Sequence, residues 1–351
     1  MGGSIFKDYF RHDNFYVFSC YFTSCYQKKS NGIEKSILNN TASIFIKNLY
    51  RTYYKFVKEM RLSKLGSLLL NRTPKQSYNL ICHKLFLGHR LSDFNDQHPC
   101  TFILSTGRVG SMTVSKLLNL AQNVFSYHEP LPKLFHLNRL AYDYANDLSK
   151  RKILIEAFLT ARRDLFQHSL ICGKGYVETG PQSTFLFPLI FEAVPASKFI
   201  HIVRHPASVI RSGMTRKWYD GHPRDAERIK PLLGSSEFEN WKKWGAFEKN
   251  IWLWSETNRW IRFNLNKLPQ NRCIRIHAED IFEAEISTIR LLFDFINSEF
   301  PSLKKINKVI SYKWNKQQHT EYTDKTSWSD RMIEIFNEIV GDAAESFGYF
   351  L

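Results

Sequence analysis

The sequence predicts an α/β protein in three layers, with a mostly parallel central sheet and helices on both faces. Two short apolar runs, 101–104 and 198–203, are typical of buried strands. A short loop and then a helical spacing of apolar residues follow each run. Because alternating strand and helix signals are typical of parallel sheets with helical crossovers, these observations favour the α/β class.

The first loop, 105–111, carries Gly107, Arg108 and Gly110 between a strand and a helix. Backbone N–H groups at the start of a helix lack partners inside it, and together with the positive end of the helix dipole they bind anions. The glycines allow close approach of the backbone, and Arg108 adds a positive charge. We therefore expect this loop to bind a phosphate group; a glycine-bearing turn that binds nothing is the alternative.

Hydroxyl donors at Ser111 and Thr113 follow at the start of the predicted helix. The loop is not a Walker A loop, because its Gly-Lys-Ser/Thr ending is missing. Lys116 lies too far into the helix to replace that lysine. The sequence therefore predicts a ligand other than a magnesium nucleotide triphosphate.

Two candidate bases follow the next predicted strand, 124–127. His128 and Glu129 lie at its carboxyl end, which faces the ligand crevice in open α/β sheets. Glu129 is a candidate general base, and the alternative is a solvated loop acid or a helix cap. His128 is the competing base, because a free imidazole has a pKa of about 6.5.

A second anion site is predicted after the strand at 198–203. Arg204, His205 and Pro206 form a turn, because proline cannot pair in a sheet and disfavours helix at the residue before it. Pro206 suits the first turn of the helix that carries Ser212. Arg204 and Ser212 are then placed to reach one phosphate from two sides, with Arg211 as a further candidate; a surface arginine and a helix serine are the alternative.

The remaining segments complete the alternation of strands and helices. A polar stretch, 216–236, predicts a loop long enough to form a lid over the site. We expect helical segments at 138–168, 185–193, 241–265, 278–296 and 328–351, and further strands within 170–177 and 272–277.

The charge of the chain favours anionic partners. Its 351 residues carry a net charge of +16. Residues 1–96 hold 15 lysines and arginines against 6 acids, more than half of that excess. We interpret 1–96 as a basic, largely helical extension and 97–351 as the main domain.

No secretory signal or membrane span is indicated by the sequence. The uncharged stretch 14–27 is too short to cross a bilayer. The six cysteines lack metal-type spacing and are interpreted as reduced thiols, and no metal site is predicted. We expect a cytoplasmic protein, with contact at an acidic membrane surface left open.

With both loops placed, the chain resembles the sulfotransferases that use 3′-phosphoadenosine 5′-phosphosulfate (PAPS). The segment from Thr106 to Thr113 is similar to their first signature, and the segment from Arg204 to Ser212 is similar to their second. The Arg-Ile-His-Ala-Glu-Asp-Ile segment at 275–281 and the Phe-Gly-Tyr at 347–349 resemble further family elements. Tyr-His-Glu-Pro-Leu at 127–131 is similar to an element of carbohydrate sulfotransferases. The resemblance covers about 100–351.

The resemblance implies a P-loop-like loop that holds the 5′-phosphosulfate and a second site that holds the 3′-phosphate. It implies that Arg204 and Ser212 bind the 3′-phosphate and that Arg108 stabilises charge on the leaving phosphate. Glu129 is implied as the base, with His128 as the alternate. The donor-binding residues of the first loop are Thr106, Gly107, Arg108, Val109, Gly110, Ser111, Met112 and Thr113.

Three positions depart from the family pattern. Val109 and Met112 replace hydroxyl residues, so one usual side-chain contact to the 5′-phosphate is absent, and Thr113 is a partial substitute. His205 replaces the acid of the second signature.

The reaction implied is in-line sulfuryl transfer to an acceptor, without a metal and with adenosine 3′,5′-bisphosphate (PAP) as product. The acceptor expected is a hydroxyl of a glycan or glycolipid, which can be anionic, and no nucleic-acid partner is expected. Two alternatives are a P-loop phosphotransferase or nucleotide hydrolase and a non-enzymatic polyanion binder. The first predicts a Walker lysine and a magnesium-binding aspartate, and we find neither arrangement. The second leaves the two strand-to-helix loops without a purpose.

Overall fold

The computed structural model describes residues 91–312 and 328–349. The predicted helical extension, 1–96, lies outside the described residues except for its last six, and its separation from the main domain stays a prediction. Among these six, Phe94 is 1% exposed, and its ring packs edge-on against Phe166 with 5.4 Å between centroids.

A parallel sheet of five strands forms the centre of the described chain. The strands are β1 (Cys100–Leu104), β2 (Val124–His128), β3 (Gly175–Thr179), β4 (Lys198–Val203) and β5 (Cys273–His277). Their spatial order is β2-β3-β1-β4-β5, and every neighbouring pair is parallel. All residues of β1, β3 and β4 are buried, as expected for a parallel sheet covered on both faces.

Helices pack against both faces of this sheet. In chain order they are α1 (Ser111–Leu118), α2 (Phe135–Asp143), α3 (Leu148–Ile171), α4 (Phe187–Ala193), α5 (Pro206–Thr215), α6 (Ser236–Trp241), α7 (Ala246–Leu265), α8 (Ala278–Phe282), α9 (Ile286–Phe295), α10 (Leu303–Ile310) and α11 (Asp330–Glu345).

Successive residues of β1 supply two separate cores. Phe102 packs with Phe158 of α3 on one face of the sheet. Its neighbour Ile103 joins the cluster of Val114 and Leu292 on the other face. Because side chains alternate across a strand, one buried strand contributes side chains to both cores. The predicted three-layer α/β fold is confirmed.

Several element boundaries differ from those expected. Helix α1 ends at Leu118 rather than near Asn123. The single helical segment expected at 138–168 is two helices, because the Asp147 carboxylate accepts a hydrogen bond from Ser149 N at 2.9 Å and so begins α3 anew. The helix expected through 296 is also divided, at Ala284, whose φ is 60°.

The strand order places two loops beside each other. Strand β1 lies between β3 and β4. After β1 the chain forms β2 and β3 on one side of β1, and it then crosses to form β4 on the other side. The loops after β1 and β4 therefore lie at the same carboxyl edge, where open α/β sheets bind ligands.

Candidate active site

Three residues of the loop after β1 have left-handed backbone. Gly107, Arg108 and Gly110 have φ values of 80°, 61° and 77°. Helix α1 then begins, and Val114 N donates to Gly110 O at 3.1 Å. No side chain caps this helix start. The first amides of α1 are therefore available to an anion.

Gly110 is fitted closely against α8. A Cβ atom at this position would lie 2.6 Å from Cε1 and 2.7 Å from Cζ of Phe282, in steric clash with the ring edge. The positive φ adds a second reason for glycine, since side chains rarely adopt that backbone. The loop cannot accept a larger residue here without moving Phe282.

Arg108 is hydrogen-bonded to the second predicted motif. Its Nε donates to Ser212 Oγ at 3.0 Å, and its carbonyl accepts from Arg204 Nη1 at 2.7 Å. Burial, together with repulsion from Arg216 and Arg204, lowers the pKa of Arg108 to about 10, while Glu129 opposes the shift. The two loops thus form one positively charged site.

Arg204 is anchored by its backbone and stacked by its side chain. The indole Nε1 of buried Trp254 donates to Arg204 O at 3.0 Å. The guanidinium lies over the ring of Phe282, 5.0 Å from its centroid. Burial lowers the pKa of Arg204, while the nearby Glu279 carboxylate opposes the shift. Its Nε is buried without a hydrogen-bond partner, a costly state that a bound anion would relieve.

His205 begins helix α5. Its Nδ1 accepts a hydrogen bond from Ala207 N at 3.2 Å, which is the capping contact that an acid would make at the start of a helix. The His205 amide donates to Glu279 Oε1 at 3.0 Å, and Tyr349 Oη donates to Glu279 Oε2 at 2.8 Å. The imidazole therefore performs the local role of the missing acid.

Glu129 lies just beyond β2 in a left-handed conformation, with φ of 44°. Its amide donates to Thr179 O at 2.9 Å, and its Oε2 accepts from Lys133 Nζ at 3.1 Å. A Cβ atom on Gly180 would lie 2.7 Å from Glu129 Cγ, so a glycine beside it keeps the space for this carboxylate. The carboxylate is near enough to Arg108 to influence its pKa.

His128 is hydrogen-bonded to a side chain of the neighbouring strand β3. Its Nδ1 lies 2.9 Å from Thr179 Oγ1, and its Nε2 lies 4.0 Å from Glu129 Oε1. Burial lowers the pKa of His128, and Lys133 and Lys116 add to that shift while Glu129 opposes it. The imidazole is therefore neutral near neutral pH.

A family model described as the sulfotransferase family matches residues 99–302, which include both loops. The chain belongs to the sulfotransferase family. The predicted enzyme class, a PAPS-dependent sulfotransferase, is thereby confirmed. No curated protein has a significant sequence match to this chain.

Solved structures similar to this sulfotransferase share little sequence with it. A sulfotransferase domain from the curacin biosynthetic pathway is 17% identical, over 72% of this chain and 99% of that one, with a TM-score of 0.44. A sulfotransferase from Mycobacterium avium is 11% identical, over 78% and 83%, with a TM-score of 0.46. A mouse sulfotransferase complexed with PAP is 11% identical, over 74% and 92%, with a TM-score of 0.40.

The side chains predicted to bind the donor in the first loop of the sulfotransferase, 106–113, lie in different environments. Val109 is 1% exposed and packs in the core, so only its backbone faces the loop. Thr106 Oγ1 donates to Gly107 O at 3.0 Å within the loop. Ser111 and Thr113 are buried at the start of α1, and Met112 between them is partly exposed. Donor binding by these residues stays a prediction.

Four site residues were not singled out by sequence reasoning: Arg216, Glu279, Phe282 and Lys133. Arg216 had a readable signal, because it follows Ser212 by four residues, about one helical turn. Glu279 lies inside the segment 275–281 quoted above as a family element, and Lys133 follows Glu129 by four residues. Phe282 approaches the site through tertiary packing.

The described residues of the sulfotransferase hold neither a group of metal-ligating side chains nor a helix able to span a membrane. Over 91–312 and 328–349, no three His, Cys, Asp or Glu side chains are grouped so that they could hold a metal ion. None of the helices described in those ranges has the length and apolar character needed to span a bilayer.

Proposed function

We propose that this sulfotransferase transfers the sulfuryl group of PAPS to a hydroxyl of a glycan or glycolipid. The observation that carries the proposal is the bonding of Arg108 to both Ser212 and Arg204. It joins the loop after β1 and the loop after β4 into one cationic site. A donor with phosphates at both ends of its ribose matches such a two-part site.

The two ends of the donor are assigned to the two loops. The 5′-phosphosulfate lies against the first loop, 106–113, and the amides at the start of α1. The 3′-phosphate lies against Arg204 and Ser212. The unpartnered Nε of Arg204 supports this assignment, because a buried guanidinium nitrogen needs an acceptor.

Glu129 accepts the proton of the acceptor hydroxyl. The hydroxyl oxygen forms a bond to sulfur as the bond from sulfur to the bridging 5′-phosphate oxygen breaks, and PAP leaves. Arg108 and the loop amides neutralise the charge that grows on this phosphate. His128 is the alternate base, but its contact with Thr179 supports Glu129 for the role.

The acceptor is assigned from chemistry beside Glu129. The Glu-Pro-Leu element at 129–131 resembles that of carbohydrate sulfotransferases, and the net charge of +16 suits an anionic acceptor or a membrane-borne glycolipid. Leu131 is 76% exposed next to the proposed base, where it can contact the apolar face of a sugar ring or a lipid.

Calorimetric binding of PAP tests the donor site, with AMP and ATP as control ligands. We expect wild-type protein to bind PAP at least tenfold more tightly than AMP or ATP, and Arg204→Ala to lose that preference. Arg290→Ala is the matched control, because Arg290 also stacks on a phenylalanine ring, 4.2 Å from the centroid of Phe300, on a helix outside the site. Equal or absent binding of all three ligands contradicts the proposal. Transfer of radioactive sulfur from PAPS to a glycolipid or glycan panel then tests the acceptor.

A further inference from the structure

The loop that carries the proposed base, 129–134, is held by buried side chains of neighbouring elements. It contains no helix or strand of its own. The guanidinium of the fully buried Arg162 donates to Pro132 O at 2.9 Å. The side-chain Oε1 of Gln182 accepts from Leu134 N at 2.6 Å. The position of the base, at the start of this loop, therefore depends on side chains outside the loop.

Gln182 belongs to the loop after β3, which lies between the other two loops of the site. Strand β3 separates β2 from β1 in the sheet, so its loop separates the base from the first loop. On one side, a Cβ atom on Gly180 would lie 2.7 Å from Cγ of Glu129. On the other side, a Cβ atom on Gly107 would lie 3.4 Å from Cγ of Pro181. The loop after β3 thus fills the gap between the base and the first loop.

The side-chain amide of Gln182 is hydrogen-bonded through its oxygen and not through its nitrogen. The residue is 0% exposed. Its Nε2 is buried, and within 91–312 and 328–349 no group accepts a hydrogen bond from it. An unmet buried donor opposes folding, and a methionine of similar length would avoid that cost. Gln182 therefore contributes to the position of Leu134 more than to the stability of the fold.

We propose that Gln182 is a positioning residue for Glu129 and sets the distance between this carboxylate and the donor. The inference rests on the proposed function, because it takes Glu129 as the base. The Oε1 atom holds the far end of the base loop at Leu134, and the backbone next to Pro181 is fixed against the first loop. Proton transfer in the transition state requires the base within hydrogen-bond reach of the acceptor hydroxyl, so this spacing governs the rate.

Gln182→Met removes the acceptor for Leu134 N with little change in size. We expect kcat to fall by about tenfold to hundredfold, because a misplacement of about 1 Å has an effect of that size. The KM for PAPS and the Kd of PAP stay within about twofold, since the variant leaves the two donor-binding loops in place. The assay follows radioactive sulfur from PAPS to the first acceptor identified in the glycan and glycolipid panel.

A double-mutant cycle separates positioning of the base from a general defect. In a Glu129→Gln background, we expect Gln182→Met to lower kcat by less than about twofold, because the group that it positions is gone. A general structural defect lowers kcat by the same factor in both backgrounds. Gln182→Glu keeps an oxygen for Leu134 N and recovers part of the lost kcat.

Asn123→Leu is the matched control at the opposite end of β2. The Asn123 Nδ2 donates to Ile296 O at 3.2 Å and to Asn297 O at 2.9 Å. Its Oδ1, like Nε2 of Gln182, is buried without a partner among the described residues. We expect this variant to keep kcat within about twofold of wild type, because its hydrogen bonds lie at the amino end of the strand. Thermal unfolding of each variant establishes that it is folded.

The outcomes are distinct. An unchanged kcat in Gln182→Met, an equal loss in both backgrounds or an equal loss in Asn123→Leu overturns the inference and leaves the proposed function intact. Failure of Gln182→Met to fold also overturns it, because the amide would then serve stability. A wild-type kcat in Glu129→Gln overturns the assignment of the base and the inference together. Failure of wild-type protein to transfer sulfur to any member of the panel overturns the proposed function, and the inference with it.

Discussion

Arg108 Nε donates a hydrogen bond to Ser212 Oγ at 3.0 Å, across 104 residues of sequence. Arg204 Nη1 donates to the carbonyl of Arg108, which is a second hydrogen bond between the two loops. The orientation of the first loop's arginine therefore depends on the second loop and its helix. Ser212 acts on Arg108 directly, besides any contact with a phosphate.

Ser212→Ala removes the acceptor for Arg108 Nε. We expect affinity for adenosine 3′,5′-bisphosphate to fall about threefold to tenfold, the range of one hydrogen bond of about 1 kcal/mol. Titration calorimetry measures the change. Thr215→Ala is the control, because the Thr215 hydroxyl of the same helix donates to Arg211 O within the helix. Equal affinities of Ser212→Ala and wild type would show that the contact does not orient Arg108.

Glu129→Gln removes the proposed base and keeps the shape of the side chain. We expect kcat to fall by about a hundredfold to ten-thousandfold, the typical contribution of a general base. Affinity for the donor product changes little, since the carboxylate does not bind it. Steady-state kinetics on an identified acceptor, with His128→Gln in parallel, makes the comparison. A larger loss of kcat in His128→Gln than in Glu129→Gln assigns the role to His128 instead.

Gly110→Ala forces a Cβ atom against the ring edge of Phe282, 2.6 Å from its Cε1. We expect the first loop to shift and affinity for the bisphosphate to fall at least tenfold, because the amides at the start of α1 move with it. The double variant Gly110→Ala/Phe282→Ala removes the clash but keeps the positive φ, so it recovers part of the affinity. Absence of any recovery would mean that backbone strain alone requires the glycine.

The fold and both loops were predictable because local signals marked them. Pro206 stops β4 and begins α5, so the strand expected at 198–203 is the strand observed. Helix interruptions were missed where one capping residue, Asp147, outweighs a continuous helical pattern. The partners of Arg108 were not predictable, because their contacts join residues more than ninety positions apart and depend on strand order.

We expect the buried His201 to make the fold sensitive to acid. Burial lowers its pKa to about 4, and its Nε2 lies 2.9 Å from Asn258 Oδ1. Since the folded-state pKa lies below the unfolded value of about 6.5, the neutral form is favoured in the fold. The free energy of unfolding is therefore unaffected by this histidine above about pH 6.5. It falls by up to about 3 kcal/mol as the pH decreases to about 4, because the unfolded chain takes up a proton that the fold resists.

Urea unfolding at several pH values measures this loss. We expect His201→Gln to reduce the fall in unfolding free energy between about pH 6.5 and 4.5, because glutamine keeps a donor for Asn258 and cannot gain a proton. His136→Gln, at an exposed position, leaves the pH dependence of wild type. An identical pH dependence in His201→Gln would exclude this histidine as the cause.

Glu178 and Arg162 form a buried ion pair next to the site. Arg162 is fully buried, and it donates to both carboxylate oxygens of Glu178, at 2.6 and 2.9 Å, and to Pro132 O. We expect Glu178→Gln to lower the free energy of unfolding by about 3 to 5 kcal/mol, since it leaves a buried charge unpaired. The double variant Arg162→Met/Glu178→Met loses less free energy of unfolding than Glu178→Gln does, because no buried charge remains unpaired. Urea unfolding compares them, and a single-variant loss below about 1 kcal/mol contradicts the prediction.

The clustering of Arg108, Arg204 and Arg216 has a consequence for the amount of enzyme in a cell. Without an anion, their mutual repulsion and unmet donors work against the folded state. A ligand that binds only the folded chain stabilises it, by about 2.7 kcal/mol at a concentration one hundred times its Kd. Since proteases remove unfolded chains, starvation for sulfate would shorten the lifetime of this enzyme, and its abundance would follow the supply of its own donor.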